Sequence, residues 1–68
     1  MIVLKLDQIM KARGVKLKDL AVKIGITDAN LSNIKTGIIS AIRFSTLNAL
    51  CQELNCQPAD ILAYQPEA

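Results

Sequence analysis

Glycines at near-equal intervals, Gly14, Gly25 and Gly37, divide the first half of this chain into segments too short for a long helix. Glycine supplies the left-handed backbone that stops a helix. Between these stops the apolar residues recur at i, i+3, i+4 and i+7, which is helical and not strand spacing. One face holds Leu6, Ile9, Met10 and Arg13, and the next holds Leu17, Leu20, Ala21 and Ile24. Leu31 and Ile34 are the pair on a third. Helices are therefore expected over Leu6 to Arg13, with Asp7 complementing the N-terminal dipole, over Leu17 to Ile24, and over Asp28 to Lys35 with Thr27 as N-cap.

The second half continues in the same way. Ser45 is a second N-cap signal, with Phe44 placed to staple the start of a helix whose inward stripe is Leu47, Leu50, Cys51 and Leu54. Pro58 suits the first position of a short fifth helix containing Ile61 and Leu62. Met1 to Leu6 is β-rich in composition, and Ala63 to Pro66 is expected beside it in a two-stranded ribbon. Isolated helices shorter than about 12 residues are marginal in water, so mutual burial of the stripes must hold them. In a chain that is 51 % hydrophobic but only 3 % aromatic, the core is expected to be packed from Leu, Ile, Val and Ala. The expected architecture is all-α, with five helices in one domain over residues 1–68, because 68 residues do not support two cores.

Several function classes are excluded. The longest apolar stretch, Met1 to Leu4, is far short of the roughly 20 residues that span a bilayer. Lys5 and Asp7 interrupt any signal-peptide core, so a cytoplasmic location without membrane contact is expected. With no histidine and only Cys51 and Cys56 as soft ligands, no zinc site is expected, and reduced thiols fit the cytosol. There is no glycine-rich phosphate loop and no nucleophile paired with a base, so neither enzymatic activity nor a cofactor is expected.

The net charge of +2 says less than its distribution. All eight basic residues lie in the first 43 positions with three acids, Asp7, Asp19 and Asp28, giving +5. The other 25 positions carry Glu53, Asp60 and Glu67 and no base, giving −3. A field polarised in this way suits a polyanion on one side.

The most informative segment is 17–36 with its stop, LKDLAVKIGITDANLSNIKTG. Gly25, Ile26 and Thr27 alone separate two short amphipathic helices, which forces them to cross steeply. Ala21 lets the backbones approach, and Ile26, Leu31 and Ile34 fill the angle. This segment resembles the helix-turn-helix of the phage repressor and Cro family, also called the xenobiotic-response-element family. Ala21, Gly25, Leu31 and Ile34 match its small, glycine and apolar positions. The stretch Ala41 to Leu62 is similar to the tail of a very short subgroup, so the likeness covers nearly the whole chain. It implies a compact lambda-repressor-like DNA-binding domain.

The matching residues build the motif and touch no base. Contacts to base edges are expected from the outward face of the third helix: Asp28, Ala29, Ser32 and Asn33, with Asn30 beside them. The resemblance assigns base contact to Asp28, Ala29 and Asn33. The Asn33 amide can both donate to and accept from adenine, and Ala29 can pack on a thymine methyl. Asp28 either accepts from cytosine N4 or complements the helix dipole. Phosphate contacts are expected from Thr27, Lys35, Lys16, Lys18 and Arg43, together with helix N-termini. Two positions depart from the family pattern. Leu17 stands where many members carry a phosphate-binding glutamine, and the turn after the third helix reads Gly37-Ile38-Ile39-Ser40 where relatives are often polar or basic.

The expected function is sequence-specific binding of double-stranded DNA by a small transcriptional regulator, a repressor, working as a homodimer with no evident small-molecule effector. The dimer contact is expected on the C-terminal half, including Tyr64, or on the Ile38-Ile39 turn. The alternative is an antitoxin-like or adaptor module that binds protein with the same fold.

Overall fold

The computed structural model describes residues 1–66, so Glu67, one of the acids in the C-terminal charge, lies outside the described residues. In chain order they form β1 (Ile2–Leu4), α1 (Leu6–Arg13), α2 (Leu17–Ile24), α3 (Asp28–Thr36), α4 (Phe44–Leu54), α5 (Pro58–Ile61) and β2 (Leu62–Tyr64). The helices enclose Leu6 and Met10 of α1, Leu20 and Ala21 of α2, Leu31 and Ile34 of α3, Leu50 and Leu54 of α4, and Ile61 of α5. Each inward stripe read from the sequence thus supplies the core. Among the described residues, no helix is long and apolar enough to cross a membrane.

The helices stop where a left-handed residue lets the chain turn back. Gly25 and Gly37, at φ 76° and 79°, bracket α3, and the N–H groups of Ile26 and Ile38 beyond them donate to the carbonyls of Ala21 and Asn33 at 3.1 and 2.9 Å. This six-to-one bond takes up a carbonyl that the helix itself cannot use. α4 ends in the same way without glycine: Asn55 sits at φ 50° and the Cys56 N–H donates to the Cys51 carbonyl at 3.0 Å. Asparagine tolerates this region better than most side chains, and the sequence reading had not singled it out.

β1 and β2 pair antiparallel in the register Ile2 with Tyr64, Val3 with Ala63 and Leu4 with Leu62. The expected ribbon exists, but it is shorter than expected and begins one residue earlier on its second strand. Leu62 accordingly belongs to β2 and not to α5. α3 runs one residue further than expected, to Thr36.

The start of α4 corrects the sequence reading. Its N-cap is Arg43 in extended conformation, Phe44 is its first residue, and Ser45 makes no cap. Phe44 is 87 % exposed and staples nothing. The first turn of α4 overhangs the core, where Leu47 and Cys51 on the same flank are already only half-buried. Both thiols are free, and burial followed by the neighbouring Cys51 pushes the Cys56 thiol up.

Candidate nucleic-acid interface

The orientation of α3 follows from its ends and its two anchors. Thr27 Oγ1 accepts from the Asn30 N–H at 3.1 Å, satisfying one of the free donors of the first turn. Leu31 and Ile34 are buried, which fixes the rotation of the helix. At about 100° per residue that rotation carries Ala29, Ser32, Asn33 and Thr36 to the opposite side. Ala29, Asn33 and Thr36 are exposed and Ser32 is half-buried. Asp28 and Lys35 fall on one flank and Asn30 on the other.

Thr36 was missed because the helix was expected to stop one residue before it. Its Oγ1 donates to the Ser32 carbonyl at 2.9 Å and lies 3.3 Å from that of Asn33. The hydroxyl is used within the helix, and the methyl is the part left free for a partner.

On the first flank, Asp28 is exposed in the first turn, where its charge complements the helix dipole. Lys35 leans towards α1, with Nζ 3.5 Å from Asp7 Oδ1, while Lys11 lies 3.2 Å from Asp7 Oδ2. The hydrogen bond from Lys11, reinforced by the charges of Lys11 and Lys35, holds the Asp7 carboxyl below its usual range. Lys35, expected at a phosphate, thus ties α3 to α1.

On the second flank, Asn30 and Asn33 face Arg43 and Thr46 across a groove of about 360 Å³. Its apolar lining comes from Ile26, Ile34, Ile39 and Ile42. The fold therefore brings Arg43, ten residues further along the chain, beside the expected base reader Asn33. Lys16 and Lys18 sit apart from this groove, at the N-cap and in the first turn of α2, both exposed. Leu17 between them is half-buried against the core, so this position serves packing. Arg13 points elsewhere: its Nε donates to the Leu54 carbonyl at 2.9 Å and its Nη2 to that of Asn55 at 3.3 Å, closing the C-terminal end of α4.

The apolar turn after α3 divides. Ile39 is half-buried and packs on the core, whereas Ile38 is exposed.

Comparison with known proteins agrees with this geometry. Residues 5–67 match the family model described as the Cro/C1-type HTH (helix-turn-helix) DNA-binding domain. The chain is also similar to a Bacillus subtilis (strain 168) protein named as the uncharacterized HTH-type transcriptional regulator YozG. The two are 44 % identical over 66 residues, covering 97 % of this chain and 79 % of that protein.

Proposed function

Because the chain belongs to the Cro/C1-type HTH DNA-binding domain family, a family of DNA-binding transcription regulators and not of enzymes, we propose that it represses transcription by reading the major groove with α3. Residues 1–68 act as one domain, with the reading motif at 17–36. The observation that carries this reading is the rigid presentation of α3: capped by Thr27, anchored by Leu31 and Ile34, and outward-facing through Ala29, Ser32, Asn33 and Thr36. A helix with its side chains is about 10–12 Å across and the major groove about 12 Å wide, so such a face can reach base edges.

Asn33 reads a base, and Asp28, Ala29 and Ser32 line the same contact. Arg43, Thr27, Lys16 and Lys18 hold phosphates, with Lys35 contributing from beside Asp7. A single short helix contacts too few base pairs to select one site among the competitors in a genome, so the working unit is a symmetric dimer. Its two α3 helices lie about 34 Å apart, one turn of DNA. The site of action is the cytoplasm.

The test is selection of bound sequences from random duplex DNA at moderate salt. The expected result is an enriched near-palindrome with half-sites roughly 10 base pairs apart. No enriched motif would overturn the sequence-specific reading. One observation favours the second reading, a protein-binding adaptor: Phe44 stands exposed beside Leu47, Cys51 and Pro58 in a groove on α4. Co-purification of a partner protein that Phe44→Glu releases, without any selected DNA motif, would support that alternative.

A further inference from the structure

β1 has an edge that pairs with no other strand among the described residues. The ribbon is held by the Gln65 N–H donating to the Met1 carbonyl at 2.8 Å, by the N-terminal amine on the Gln65 carbonyl, and by the Lys5 N–H on the Ile61 carbonyl at 2.6 Å. In an antiparallel pair, hydrogen-bonded and non-hydrogen-bonded residue pairs alternate. Given the register, Met1, Val3 and Lys5 face β2 with their backbone groups, whereas those of Ile2 and Leu4 point to the opposite side. Among the described residues the sheet has two strands, and the Ile2 and Leu4 backbone groups have no partner. Beside this edge runs an open groove of about 610 Å³ between β1 and the segment Thr36 to Ile42. Among the described residues no charged side chain lines it.

We infer that this edge is the dimer contact, with β1 of one copy pairing antiparallel to β1 of a second copy across a two-fold axis at Val3. The inference rests on the dimer reading above and names its interface. The edge is complementary to itself: centring the pair on Val3 sets Ile2 opposite the partner's Leu4 and Leu4 opposite the partner's Ile2. Each is then a hydrogen-bonded pair, so both N–H and both C=O groups of each copy are satisfied.

Charge also favours a second copy. On a two-fold axis a group faces its own image, so a charge there repels itself. No charged side chain stands at the axis, where Val3 meets its image; the nearest charges, Lys5 and the Met1 amine that bonds Gln65, lie two residues away, and the exposed Lys16, Lys18 and Arg43 lie on other elements. Ile2 and Tyr64, a cross-strand pair 64 % and 68 % exposed, supply apolar surface at the contact. Edge strands that are to stay single carry lysine or proline, and Ile2–Leu4 carry neither.

The test combines sedimentation with amide hydrogen exchange over a protein concentration series. In the dimer the Ile2 and Leu4 amides become protected as concentration rises, at least tenfold over the monomer, while Val3 and Lys5 are protected throughout. Ile2→Lys weakens dimerisation at least tenfold with unchanged circular dichroism, and Phe44→Glu leaves it unchanged. A dimer in which the Ile2 and Leu4 amides exchange freely, or one lost with Phe44→Glu and kept with Ile2→Lys, would overturn this interface and leave the dimer reading standing. A single protomer both alone and on a selected duplex would overturn the dimer itself. Titration with the synthetic peptide MIVLK is a third arm. Protection of Ile2 and Leu4 by that peptide in a chain that never dimerises would make the edge a site for a foreign strand and overturn the second-copy assignment.

Discussion

Asn33 and Leu31 lie two residues apart on α3 and face opposite ways, so their truncation should produce opposite phenotypes. Asn33→Ala is expected to lose about 1–3 kcal/mol for a selected site and to relax preference at one base pair, with thermal stability unchanged. Leu31→Ala is expected to cost about 2–5 kcal/mol of fold stability, since Leu31 is fully buried and its removal leaves a cavity. Binding measured by anisotropy beside thermal melts separates the two, and a stability loss at Asn33 would contradict its outward placement. That Asn33 faces outward was legible in the sequence, because two apolar anchors suffice to set a helix's rotation. Thr36 and the neighbourhood of Arg43 were not legible. The first depended on where the helix stopped, and the second on how a seven-residue turn folded back on α3.

The short helices owe much to their ends. Thr27→Ala removes the acceptor for the Asn30 N–H and should cost roughly 1 kcal/mol, read as a lower melting temperature. At the C-terminal end of α4, Asn55→Ala forces an ordinary side chain into the left-handed region and should cost about 1–2 kcal/mol, whereas Asn55→Gly should cost nothing or stabilise. Equal stability of the Ala and Gly variants would show that the positive φ carries no weight. The glycine stops, the Thr27 cap and the Pro58 start were all readable locally. The Phe44 staple was not, because a staple requires something above it to pack against, and the first turn of α4 reaches past the core.

Across the whole molecule, electrostatics and association decide behaviour. Lys11 and Lys35 share Asp7, and Arg13 closes α4, so among the described residues three of the eight basic residues are engaged internally. Binding should weaken steeply with salt, with log affinity against log salt sloping by roughly −0.9 per phosphate contact. Arg43→Ala should flatten that slope by about one unit, and Lys35→Ala by less, since its charge is already shared with Asp7. Equal flattening would place Lys35 at the backbone as fully as Arg43. Acid stability follows from Asp7: its folded carboxyl titrates below its usual 3.8, so its contribution is fully present above that value and is lost as pH falls through the lower folded value. Asp7→Asn should therefore soften the loss of stability below about pH 4, most visibly at low salt, where an exposed pair is least screened.

The sequence by itself determined the number of helices, their inward faces, and the outward face of α3. All of these follow from residues within a turn or two of one another, where spacing, caps and left-handed stops act directly. Tertiary structure alone decided which bases remained free, that Arg43 lies across a groove from Asn33, and that Ile2 and Leu4 turn an unpaired edge outward. Those outcomes depend on pairs far apart in the chain: Lys35 with Asp7, Arg13 with Leu54, β1 with β2. No local pattern specifies such pairs, because a side chain's charge or a strand's register acquires its partner only after the helices have packed.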